Sequence, residues 1–418
     1  MNFLLRQATI IAPKQKNHNR VADIRIENGI IKEIGENLAL KGEREISSKK
    51  LMISPGWFDM QADFCDPGNE HKEDLRTGLM AAAHGGYTGV LVMPTTTPVI
   101  DSKGAVEYVL KNGNHGATKA FVAGSATKGA QGIELSESFD MQQAGAIAFT
   151  DHLHPIENAG LMKLALQYIN GFGGLMLHFP YNESLAHAGV MHEGKTSTIM
   201  GVKGMPALSE STAVQRDLSI LEYTGGKLHF NCVSSAESVK LIKEAKAKGL
   251  QVTAGVPALN LLLTDEALAE FDTRYKMMPP LRSESDKKAL IKGLKNGTLD
   301  VVCSNHVPQD IELKKCEFDL AAFGAINIQT AYLGTPEIFS AEEWVGYSSI
   351  APRKILGLSV PEIEVGQKAE ITLFDPEENT DVTSALLKSK SKNTPLLGKK
   401  LKGKVMGVIA NNTYTLVS

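Results

Sequence analysis

Charge of one sign is scarce in this chain. Its 44 Lys and Arg stand against 47 Asp and Glu, a formal net charge of -3. No basic field gathers phosphates, so nucleic acid is not an expected partner. Long apolar runs are missing too: Gly, Lys, His or Asp break each one before the roughly 20 residues a membrane helix needs. Residues 1–13 show no charged stretch leading into an apolar core. No membrane partner and a cytoplasmic location are therefore expected. Cysteine is limited to Cys65, Cys232, Cys303 and Cys316, with no C-x-x-C pair, which excludes a disulfide framework and leaves reduced thiols as the expectation.

What is present is an ordinary globular balance over 418 residues, 43% hydrophobic and 22% charged, enough to bury a sizeable core. A unit recurs: a short apolar β-type run, a turn, then an amphipathic stretch. Eight such runs lie near Gly56–Gln61, Gly89–Met93, Ala120–Ala123, Ala146–Thr150, Leu175–His178, Leu228–Cys232, Gln251–Gly255 and Val301–Asn305. Their near-continuous Val, Ile, Leu, Met and Phe suit parallel strands covered on both faces. Helix periodicity falls on Lys72–Ala83, Gly104–Asn112, Asn158–Ile169, Thr212–Tyr223, Ala236–Lys248 and Glu284–Leu294.

Eight βα units predict an α/β fold, a (β/α)8 TIM-type barrel; no G-x-G-x-x-G follows the first strand to favour a doubly wound open sheet. The ends read differently. Phe3–Ile11, Ala22–Glu27 and Ile30–Ile34, around a turn at Asn28-Gly29, and Glu370–Phe374 with Gly403–Ile409, look like short strands. An isolated hairpin is marginal in water. Both termini are therefore expected to build one small β-sandwich domain, residues 1–52 with 363–418, flanking a barrel over 53–362.

In such a barrel the chemistry stands at the C-terminal strand ends. Strand one ends in Gln61, Asp63, Cys65 and Asp66; strand two in Thr95 and Thr97; strand four in Asp151, His152 and His154. Strand five ends at His178, strand six at Asn231 and Cys232, strand eight at Asn305 and His306. Asp63, Asp151, His178 and Cys232 are all of zinc-ligating type. The competing reading makes the carboxylates solvated or capping groups, His178 a hydrogen-bonded buried histidine and Cys232 a small apolar core residue.

These residues resemble the dihydroorotases, cyclic amidohydrolases of the amidohydrolase superfamily, in particular the type found in multifunctional pyrimidine complexes. The likeness covers nearly the whole chain. It is carried by Pro55-Gly56-Trp57-Phe58-Asp59, Asp66-Pro67-Gly68, Lys72-Glu73-Asp74, Met93-Pro94, Ala148-Phe149-Thr150-Asp151, Pro279-Pro280-Leu281-Arg282, Phe374-Asp375-Pro376 and Ser391-Lys392-Asn393-Thr394-Pro395, followed by Gly398.

The resemblance implies a zinc site and a substrate pocket, and here the chain departs from the family. Gln61 and Asp63 replace a His-x-His ligand pair, and Cys65 replaces an Arg that binds the substrate carboxylate. Cys232 stands for a histidine ligand, and Asn305 for the carboxylate that ligates metal and shuttles the proton. Thr95 and Met278 replace two pocket asparagines, and His306 adjoins that pocket. Asp151, or its neighbour His152, and His178 keep the family's ligand types. A carboxamide is a poor zinc ligand, and Asn305 cannot act as a general base.

The expectation is accordingly a degenerate dihydroorotase homologue of pyrimidine biosynthesis with no cofactor. It would be a non-catalytic scaffold, in the manner of relatives that assemble with aspartate transcarbamoylase, and a homo-oligomer. The alternative is an active zinc-dependent hydrolase of dihydroorotate or another cyclic amide. It would use a rebuilt site of Asp63, Asp151, His178 and Cys232, with His306 as acid or base. A pocket that only senses a small ligand is the third reading.

Overall fold

A computed structural model describes residues 2–114 and 116–417. Eight parallel strands form the barrel: Trp57–Ala62, Tyr87–Val92, Lys119–Gly124, Ala146–Phe149, Met176–His178, Leu228–Phe230, Val252–Pro257 and Val301–Cys303. They pair in sequence order from first to eighth. A parallel bridge between Ala62 and His306 joins the last strand to the first, and the Asp63 N–H donates to the His306 carbonyl at 2.8 Å. Every expected barrel strand is present within a few residues of its predicted bounds.

Helices alternate with them. The first starts at Leu75, three residues later than the periodicity suggested. The Asp74 carboxylate accepts the Thr77 N–H at 2.7 Å and starts the helix there. The helix predicted from Thr212 begins at Leu208 instead.

The terminal segments make one hydrogen-bonded eight-stranded sheet. Its central path runs Thr413–Leu416, Lys400–Ala410, Ile371–Asp381, Met52–Pro55, Asn2–Ile10, Val21–Glu27 and Ile30–Gly35, with Arg44–Ile46 added beside Asn2–Ile10. Phe3, Leu5, Ile24, Ile31, Ile53, Leu373 and Ile409, drawn from both ends of the chain, share one buried core. Arg44–Ile46, Met52–Pro55 and Thr413–Leu416 were not foreseen; at three or four residues each, they are too short to show an alternating pattern.

Sheet and barrel meet at Trp57. Its indole packs at 5.0 to 6.1 Å between ring centroids against Tyr87, Tyr332, Trp344 and Phe374. Gly56, just before it, has no room for a side chain because a Cβ there would overlap Thr88.

Two irregular segments are tied together beside the strand ends. Residues 307–334 contain neither helix nor strand. The Lys314 ammonium pins this stretch by donating to the carbonyls of Lys276, Ala322 and Gly324. The Ser391-Lys392-Asn393 stretch lies against it: Asn393 Nδ2 donates to the Gly324 carbonyl at 2.9 Å and Ser391 Oγ to the Gln309 carbonyl at 2.8 Å.

Candidate active site

Gln61 is buried at the end of the first barrel strand. Its Nε2 donates to Asn305 Oδ1 at 3.0 Å, and Asn305 Nδ2 donates to the Met278 carbonyl at 2.9 Å. Gln61, Asn305 and Met278 thus form one chain of neutral hydrogen bonds across the seam between strands one and eight. Gln61 Oε1 has no partner among the described residues.

Asp63 follows on the same strand end. Its carboxylate accepts the Cys65 N–H at 2.8 Å. Burial raises the Asp63 pKa against the opposing effect of that bond. Burial likewise pushes the Cys65 thiol far up, with the Asp63 charge adding to it, so Cys65 is neither a cation nor a nucleophile.

His306 Nδ1 accepts the Asn327 N–H at 3.2 Å, which places the ring proton on Nε2, 3.6 Å from Glu73 Oε2. Burial opposes ionisation of Glu73. Contacts with His306, Ser389 and Thr77 outweigh it and hold the carboxyl below its ordinary range.

Asp151 and His178, expected as ligand types, are each committed to local hydrogen bonds. The Asp151 carboxylate accepts Ser125 Oγ at 2.8 Å, the Thr127 N–H at 2.9 Å and the Thr127 hydroxyl. His178 Nε2 lies 3.0 Å from the Ile156 N–H, which can only donate, so Nε2 accepts. The ring proton therefore sits on Nδ1, 2.7 Å from the buried Asp217 carboxylate. Neither imidazole nitrogen is left to ligate a cation.

Thr95 Oγ1 meets His152 Nδ1 at 2.7 Å. Burial, with His154 nearby, drives the His152 pKa down to about 3, so this imidazole is neutral at ordinary pH. Cys232 is fully buried, its sulfur 3.8 Å from that of Cys303. The structure thus joins Gln61 with Asn305 and Met278, Asp63 with Cys65, Thr95 with His152, and Cys232 with Cys303. It does not join Asp63, Asp151, His178 and Cys232 around one point. Among the described residues no group of three His, Cys, Asp or Glu side chains is placed to hold a metal ion.

Sequence reasoning passed over Asp217, which fixes His178, and Asp59, whose carboxylate accepts the Ser304 N–H at 2.7 Å. It also passed over the Arg282–Glu210–Ser234 network, where Arg282 Nε donates to Ser234 Oγ at 2.8 Å. Asp59, Glu73 and Arg282 stand within the motifs that carry the resemblance. Asp217 had no signal, because its partner lies 39 positions away.

A family model described as dihydro-orotase-like matches residues 50–238. A dihydroorotase of Pelotomaculum thermopropionicum is 38% identical over 409 residues, 96% of each chain. One of a Thermoanaerobacter species is 40% identical over 413 residues, 97% of this chain and 95% of the relative. The chain belongs to the dihydroorotase-like family of the amidohydrolase superfamily. In fold it is similar to the L-hydantoinase (dihydropyrimidinase) of Arthrobacter aurescens, with a TM-score of 0.84 and 21% identity, over 100% of this chain and 97% of the other.

Membership corrects one expectation. Dihydroorotases and hydantoinases are metal-dependent amidohydrolases, so the expectation of no cofactor is overturned by the family in which this dihydroorotase relative stands. In this structure the residues singled out from the sequence are engaged with other groups rather than gathered around one point. Gln61 and Asn305 are neutral carboxamides bonded to each other, and both nitrogens of His178 are engaged.

Proposed function

We propose that this member of the dihydroorotase family serves pyrimidine biosynthesis without itself hydrolysing dihydroorotate, as a non-catalytic partner of aspartate transcarbamoylase. The observation that carries this reading is the Gln61–Asn305 bond. It stands where the resemblance calls for a ligand imidazole and for the carboxylate that moves the proton. A carboxamide pair supplies neither a base nor an anionic ligand. The partner rests on the resemblance alone.

The second reading, an active zinc-dependent dihydroorotase or hydrolase of another cyclic amide, is favoured directly by the names of relatives 36–40% identical over nearly the full chain. One experiment separates the two: dihydroorotate hydrolysis and carbamoyl-aspartate cyclisation, measured on protein purified without chelator, with and without added zinc, beside elemental analysis. No turnover above the uncatalysed rate in either direction is expected. Turnover dependent on zinc would establish the second reading. Mixing with the transcarbamoylase of the same cell should give a co-eluting complex on size exclusion, and separate elution would remove the partner from the proposal.

A further inference from the structure

The chain beyond the eighth barrel strand makes a strap that is closed at its base. The Val307 N–H donates to the Ala325 carbonyl at 2.9 Å, so residues 308–324 leave the barrel and return to the same point. Gly324 turns the chain back at φ +132°, where a Cβ would overlap the Val307 carbonyl. Phe318 anchors the strap in a buried apolar cluster with Leu259, Leu268, Met277 and Leu281.

Two buried lysines fill it. Lys314 Nζ donates to the carbonyls of Lys276, Ala322 and Gly324 at 3.2, 2.8 and 3.1 Å. Lys276 Nζ donates to those of Phe318 and Asp319 at 2.8 and 3.0 Å, and lies 4.8 Å from the centroid of the Phe323 ring. Among the described residues, every hydrogen-bond acceptor of the two ammonium groups is a carbonyl oxygen. Buried ammonium groups with neutral partners are costly, and two of them in one strap repel each other.

The charged and titratable neighbours do not offset this. Asp272, itself held by Arg274, and the Cys316 sulfur act on Lys314; Asp319 and Cys316 act on Lys276. Burial first, then the Lys276 charge, still brings the Lys314 pKa down to about 8, and burial lowers that of Lys276. A neutral lysine forgoes one hydrogen bond, keeps two N–H donors for the surrounding carbonyls and sheds the charge.

We propose that residues 308–324 form a protonation-sensitive strap, loosened while Lys276 and Lys314 both carry charge and tightened when Lys314 gives its proton to solvent. The direction follows from linkage. An open strap returns Lys314 to water, where it keeps its proton up to about pH 10.4. The closed strap releases that proton at about 8. Below this value both forms are protonated and pH has no effect; above it, closure gains with each rise in pH until the open form also loses its proton. The return limb of the strap continues into the candidate site, where the Asn327 N–H donates to His306 Nδ1, so tightening firms one wall of that site. The device is independent of dihydroorotate hydrolysis, and its test reads strap opening alone.

Amide hydrogen exchange of the full-length protein is followed by mass spectrometry from pH 7 to 9.5. Each strap rate is divided by that of an unstructured peptide of the same sequence at the same pH, and Tyr87–Val92 serves as the barrel reference. Strap protection in the wild type should rise by about tenfold between pH 7.5 and 9.5, with the barrel strand unchanged. Lys314→Arg, charged throughout, should show no rise; Lys314→Met, neutral throughout, is the parallel test where Lys314→Arg fails to fold by circular dichroism, and should be equally flat. Lys276→Met, which removes the repulsion, should move the rise to higher pH. Flat protection in the wild type, or a rise that survives replacement of Lys314, would overturn the device. So would a rise shared equally by Tyr87–Val92, or one that Lys276→Met leaves in place.

Discussion

Asp217 shows how much a single buried group decides. It accepts the His178 Nδ1–H at 2.7 Å and Arg216 Nε–H at 2.8 Å, with its own side chain fully buried. Replacing it with alanine strands both donors. Asp217→Ala is expected to cost about 2 kcal/mol, read as a lowered urea midpoint with an unchanged slope. Asp59 acts through protonation. Burial raises its pKa to about 7, against the opposing bonds from Ser304. The folded protein thus holds a proton on Asp59 that the unfolded chain releases near pH 4. Stability from this group is complete below pH 4 and declines as pH rises to about 7. In Tm measurements from pH 4 to 8, the wild type should lose ground to Asp59→Asn across that window; parallel profiles would show that Asp59 does not titrate there.

At the scale of elements, the join between the terminal sheet and the barrel is a strand running through a glycine into a tryptophan. Met52–Pro55 pairs with Ile371–Asp381, and Trp57 opens the first barrel strand with its ring among four others. Its N–H donates to Thr372 Oγ1 at 3.1 Å and its Nε1 to Ser54 Oγ at 3.0 Å. Trp57→Ala is expected to cost about 3–5 kcal/mol by calorimetry or urea unfolding. The strands and helices of the barrel were legible because their apolar periods are long. The starts of helices were less so: Lys72-Glu73-Asp74 reads as helix by composition, yet Asp74 caps and Glu73 turns toward His306 and Ser389.

At the scale of the whole molecule, both ends of the chain meet in one sheet, and Arg353 binds that sheet to the barrel. Its guanidinium reaches the Gly56 carbonyl, Thr88 Oγ1 at 3.0 Å and Glu370 Oε1 at 2.7 Å. With the Trp57 ring cluster in the same junction, sheet and barrel should unfold together. A single thermal transition, coincident by near- and far-ultraviolet circular dichroism, is expected; two separated transitions would show that the junction does not couple them. No described helix is long and apolar enough to cross a membrane.

The sequence alone determined the alternation of strand and helix, the barrel and the pairing of the termini, because burial on a fixed period leaves its mark residue by residue. It also determined which chemical groups stand at the strand ends. Only the tertiary structure decided what those groups touch. Asp151 and His178 keep ligand chemistry by type, yet one carboxylate is filled by Ser125 and Thr127 and one ring is filled by Ile156 and Asp217. A hydrogen bond is a matter of ångströms and direction between residues far apart in the chain, and residue type carries neither.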